Sequence, residues 1–238
     1  MISVPMKTSG AVNRQTIMSI NRNNVQEPKT SHNIKVLNNG KINSAADISS
    51  GPMPDLQKPV QKGQKVVLEN GFKLSEIRAG IGWTVINPAC DVDVSAFLLN
   101  QSGKVIGDDW FVFYGQDSSP DRSVKFSVSQ GQDREIISVD FTRLNPNVFK
   151  IVFVLTIHEA LEKHLNFSML KDAYIRIINS ADNSELVSFR MSEYYSNITS
   201  MIIGEIYQHN GSWKFSAVGN GLARDLAGLC GFYGVQVI

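Results

Sequence analysis

Between Gln64 and the C-terminus the chain reads as a dozen short runs rich in β-branched and aromatic residues. Each run is cut off by turn-forming residues before a helix of ordinary length could develop. The runs are QKVVLE, IRAGIGWTVI, VDVSAFLL, KVIG, WFVFY, SVKFSV, EIISVDF, FKIVFVLTI, DAYIRII, ELVSFR, MIIGEIY and SWKFSAV. Turns are marked by Gln101-Ser102-Gly103, Ser119-Pro120-Asp121, Leu144-Asn145-Pro146-Asn147 and His209-Asn210-Gly211. In the last of these, Asn-Gly supplies the positive φ angles of a type I′ hairpin turn. Strands at this spacing predict a mainly β fold, a sandwich of two sheets. Helix is expected in two minor places, around Phe167–Lys171 and over Leu222–Phe232, where Leu222, Leu226 and Leu229 share one face. No internal repeat is present, so one domain is expected.

The N-terminal quarter has a different composition. None of the 21 aromatic residues precedes Phe72, and residues 1–60 hold eight asparagines. Such a segment cannot bury enough apolar surface to offset its ordering entropy. Residues 1–56 are therefore expected to be a disordered tail and linker ending near Gly51-Pro52-Met53-Pro54, and residues 57–238 the folded domain. Residues 1–58 carry seven Lys/Arg against three Asp/Glu, leaving sixteen against nineteen for the remainder. A mildly basic tail thus precedes a mildly acidic domain. No apolar run is long enough to span a bilayer, and the N-terminus lacks the apolar middle of a secretory signal. The expectation is a soluble, cytoplasmic protein.

Acidic residues carry the clearest chemical signal. In an extended chain Asp91, Asp93, Ser95, Phe97 and Leu99 share one face, and Val92, Val94, Ala96 and Leu98 the other. The two carboxylates stand side by side, where they suit either a solvated strand end or one hard cation. Calcium takes six to eight oxygens, so two aspartates cannot fill its shell, and a second acidic cluster is needed. Asp133 and Glu135 supply a candidate; Asp108, Asp109 and Asp121 read as turn acids.

Other motifs are weaker. His158 and His164 are six apart, not the i and i+4 of a zinc-protease helix. Gly80-Ile81-Gly82-Trp83 leads into a β-like run rather than the helix of a dinucleotide fingerprint, so its glycines are read as relieving strand crowding. Cys90 and Cys230 share no metal or redox spacing, no nucleophile elbow occurs, and no catalytic residue is assigned. The aromatics Trp110, Phe111, Phe113 and Tyr114 are not interleaved with basic residues, which argues against nucleic acid.

In order along the chain, KGQKVVL, GIGW, DVDVSAFLLNQSGKV, DDWFVFY, EIISVDF, KIVFVLTIHEA, NFSMLKDAYIRIIN, GEIYQHNGSWKFSAVGNG and YGVQV resemble the TerD family of tellurium-resistance and bacterial stress proteins. The likeness runs from about residue 57 to 238. It implies a β-sandwich that binds calcium through acidic residues at one end and has no enzymatic activity. It also implies a cytoplasmic stress-response module that works with other proteins of a stress complex, leaving peripheral membrane association open. Carried over residue by residue, the metal positions are Asp91, Asp93, Asp133 and Glu135. Three departures imply a reduced site: Thr84 stands where the family has Asp, Arg134 replaces an acid of its G-D-D-E stretch, and its acidic loop between Phe126 and Asp133 is missing. The alternative implied is a protein-interaction scaffold that has lost calcium binding.

Overall fold

The computed structural model describes residues 53–69, 71 and 73–236. Most of the expected tail, residues 1–52, lies outside them. Eleven strands form: β1 (Lys65–Val67), β2 (Glu76–Val85), β3 (Val92–Leu99), β4 (Phe111–Val112), β5 (Val124–Val128), β6 (Glu135–Asp140), β7 (Lys150–Ile157), β8 (Leu170–Asn179), β9 (Glu185–Arg190), β10 (Ser200–His209) and β11 (Ser212–Leu222). A helix, α1 (Leu226–Tyr233), follows β11. One sheet runs β1-β11-β10-β7-β3-β4 and the other β5-β6-β2-β8-β9, with every pairing between named strands antiparallel. The sandwich expected from the sequence is present.

Alternation along β3 explains how the two sheets are used. Val92, Val94, Ala96 and Leu98 enter the main core between the sheets. Phe97 and Leu99 face the other way, into a second apolar cluster with Phe111, Phe113, Val152, Val154 and residues of α1. Phe97 stacks on Phe111 at 4.4 Å and against Tyr233 at 4.6 Å between ring centroids. Strand β3 is thus buried on both faces for most of its length, which is why its apolar run is nearly continuous. Asp91, just before the strand, is exposed, and Asp93 is the one residue within β3 that is partly rather than fully buried.

Two elements differ from expectation. KVIG does not form a strand; Val105 makes a single bridge to Leu99, and its N–H donates to the Tyr233 carbonyl at the end of α1. Docking against the helix end replaces sheet pairing there. The expected helix at Phe167–Lys171 is one 3-10 turn, Phe167–Met169, and Leu170 already belongs to β8. The second expected helix begins later than Leu222, because Leu222 still pairs with Ser200 and Asp225 caps α1 by accepting from the Gly228 N–H.

The hairpin at Asn210-Gly211 forms as read, with φ of 52° and 78° joining β10 to β11. Ahead of β1, Lys58 to Val60 hydrogen-bond to Ser188 of β9, after which β1 pairs with β11. The start of the domain therefore straps one sheet to the other.

Candidate functional site

Strands β2 and β3 and the start of β6 meet at one end of the sandwich around a cleft of about 360 Å³. Its walls include Trp83, Thr84, Asp91, Arg134, Glu135 and Tyr174. The glycines of GIGW make this wall possible. A Cβ at Gly80 would fall 2.4 Å from a carboxylate oxygen of Asp133, and one at Gly82 would fall 2.5 Å from the Tyr174 ring. Both side chains lie flat against the backbone of β2, so the crowding read from the sequence is that of Asp133 and Tyr174.

The structure brings Asp91, Asp93 and Glu135 together. Glu135 begins β6 in one sheet, yet its carboxylate accepts the Val94 N–H of β3 in the other at 2.7 Å. Burial raises Asp93 to about 7, helped by the negative charge of Asp91. Burial also raises Glu135 to about 8, with Asp93 and Asp91 adding to the shift and the Val94 hydrogen bond opposing it. Desolvation and like charge both disfavour the ionised form, and the positive charge of Arg134 offsets this for Glu135 only as the smallest of the causes. Tyr114, just after β4, belongs to the same neighbourhood: burial first, then Asp93 and Asp91, push its phenol upward. One alternate position along β3 from Asp93, the buried Ser95 hydroxyl has no hydrogen-bond partner.

Asp133 is held apart from this group. Arg176 of β8 grips its carboxylate with Nε and an Nη at 2.8 and 2.9 Å, and the Tyr174 hydroxyl donates to it at 3.2 Å. Arg134 turns to the backbone: its Nε donates to the Trp83 carbonyl at 2.6 Å, and its guanidinium lies over the Trp83 ring at 5.3 Å. Asp108 and Asp109 sit in a 3-10 turn, and Asp121 binds Ser119, Ser123 and the Asn145 N–H, as turn acids do.

As donors, the carboxylates of Asp91, Asp93 and Glu135 are hard oxygens suited to calcium. Their six oxygens fall short of a full shell without carbonyls or water, since one already accepts a backbone N–H. As the side chains stand, no group of three or more His, Cys, Asp or Glu residues among the described residues is closed around a metal position. The donor set is chemically apt and loosely assembled. Cys90 and Cys230 are both buried free thiols, and burial raises each, Cys230 to about 12, which leaves them poor nucleophiles. No helix among the described residues is long and apolar enough to cross a membrane.

Sequence reasoning found the three converging acids but missed Trp83, Tyr174 and Tyr114 as their surroundings. The close approach of Glu135 to Val94 links positions 41 apart and has no local signal.

The model of the TerD domain matches residues 56–233. General stress protein 16U of Bacillus subtilis (strain 168) is 38% identical over 187 residues, covering 74% of this chain and 96% of that protein. Tellurium resistance protein TerD of Serratia marcescens is 36% identical over 186 residues, covering 74% of this chain and 97% of its own. Among solved structures, a homologue of the telluride resistance protein (TerD) from Streptomyces coelicolor A3(2) superposes with a TM-score of 0.51 at 16% identity. That match covers 70% of this chain and all of the other, a likeness of fold alone.

Proposed function

This chain belongs to the TerD domain family, and from that membership we propose that it is a non-enzymatic stress-response module of the tellurium-resistance type with a reduced calcium site. The site is built from Asp91, Asp93 and Glu135, and it acts in the cytoplasm alongside other proteins of a stress complex. The supporting observation is that Asp93 and Glu135, from strands of opposite sheets, are desolvated side by side with their proton affinities raised to about 7 and 8. Calcium, when bound, supplies a divalent charge that offsets the repulsion between these groups. Glu135 and Asp93 would have to give up their protons to hold the ion, and Asp91, exposed just before the strand, would be the third carboxylate available to it. Because Glu135 also accepts from Val94, ordering its carboxylate fixes β6 against β3. A change in charge thereby becomes a change in the rigidity of one end of the sandwich.

A second reading has its own observation. Asp133, an inherited metal position by resemblance, is paired with Arg176, and Arg134 stands beside the remaining acids. Both features suit a scaffold that binds partner proteins through the sandwich and has given up calcium.

Melting curves separate the two. Millimolar calcium is expected to raise the melting temperature of the wild type and to leave Asp93→Asn/Glu135→Gln unmoved. Equal shifts in both proteins, or none in either, would favour the scaffold.

A further inference from the structure

Thr84 and Arg134 line the same cleft as Asp91 and Glu135. One presents a hydroxyl and the other a guanidinium. The cleft therefore carries a cationic group among its acids.

Arg134 is held in a way that leaves most of its donors unspent. Its backbone N–H donates to the Ile81 carbonyl, and its carbonyl accepts from Ser129, each at 2.9 Å. Its Nε is fixed on the Trp83 carbonyl, and the guanidinium plane is supported by the Trp83 ring. Of the five N–H donors that a guanidinium carries, one is used in that bond. Asp133 pairs with Arg176 and Asp172 with Arg190; Glu135 attracts Arg134 at longer range, but Arg134 makes no contact ion pair among the described residues. A partly buried arginine, oriented at two points and unpaired, presents a fork whose geometry matches planar or tetrahedral oxyanions.

We propose that Arg134, with Thr84 lining the same cleft, forms an oxyanion subsite there, taking a carboxylate or phosphate group of a small ligand. The cleft has room for such a group and a modest organic remainder. Where the calcium reading above holds, on which only this last consequence rests, the two ions share the cleft. The cation shields the anion from Asp91 and Glu135, so each is expected to tighten the other's binding by the same factor.

The test uses the full chain and two probes, inorganic phosphate and acetate, each titrated alone and with calcium while the amide signals of Thr84, Arg134 and Glu135 are followed. At least one probe is expected to shift the Thr84 and Arg134 signals at saturable concentration. Arg134→Gln is expected to weaken that binding about tenfold or more, since a charge-assisted pair is lost. Arg134→Lys keeps the charge but not the fork and should fall in between, and the near-isosteric Thr84→Val tests the hydroxyl without disturbing the Trp83 contact. Which of the two anions binds more tightly identifies whether the natural ligand carries phosphate or carboxylate. If calcium binds while neither anion does, or if an anion binds Arg134→Gln as tightly as the wild type, the subsite is refuted and the calcium reading stands. If an anion binds through Arg134 while calcium does not bind, the subsite holds and the calcium reading fails.

Discussion

At Gly82 the cost of a single methyl group is readable from geometry. An added Cβ meets the Tyr174 ring at 2.5 Å, and that ring is pinned by the bonds from its hydroxyl to Asp133 and Gln132. Gly82→Ala is therefore expected to lower stability by about 1–3 kcal/mol, as overpacking does, measured by urea unfolding. The acids give a second test at this scale. Asp93 and Glu135 hold protons to about 7 and 8 in the fold, against ordinary values of 3.8 and 4.5. Folded protein binds more protons than unfolded between roughly pH 4 and 8, so the contribution of this pair is present below pH 4 and is lost as pH rises toward 8. Without calcium, Asp93→Asn/Glu135→Gln should be more stable than wild type at pH 8 and equal to it near pH 4. A flat difference between wild type and variant across that range would contradict the assignment of these shifts. The sequence displayed the Asp91-Val92-Asp93 pairing, because alternation along a strand is local. It offered Glu135 as a candidate but hid its contact with Val94, because Glu135 reaches β3 only after two sheets have packed.

Among the elements, β3 and α1 bear the most weight beyond the main core. The outer face of β3 is covered by α1, with Phe97 fully buried between Phe111 and Tyr233. Phe97→Ala is expected to cost about 3–5 kcal/mol in chemical denaturation, since the cavity it leaves is walled by sheet and helix and cannot collapse freely. Removal of the Asp225 cap by Asp225→Ala should cost about 1 kcal/mol and fray the start of α1 first. The strand series was legible in the sequence because β-branched runs bounded by turn residues need no tertiary information. KVIG was misread for the converse reason: its apolar residues serve a helix end, and composition does not distinguish that from a sheet edge. Phe111 and Phe113, which alternate imperfectly with their neighbours, make sense only once Val112 faces the main core and the two rings face α1.

At the scale of the whole molecule, the acidic site spans both sheets, and so does the strap formed by residues 58–67. Deleting residues 1–67 removes β1 and the hydrogen bonds to Ser188, and is expected to lower the melting temperature by loosening both sheet edges at once. The site and the strap depend on the same relation between sheets, which the TerD domain match covers from residue 56 onward. Family membership was legible from motif order. Thr84 and Arg134 were legible as non-acidic residues, whereas the pairing of Asp133 with Arg176 emerges only in the folded chain. The most direct measurement of the central claim is a calcium titration of the full chain followed by backbone amide shifts. Saturable shifts at Asp91, Asp93, Val94 and Glu135, abolished by Asp93→Asn/Glu135→Gln, are the expected result. An unchanged spectrum at these four positions up to several millimolar calcium would contradict it.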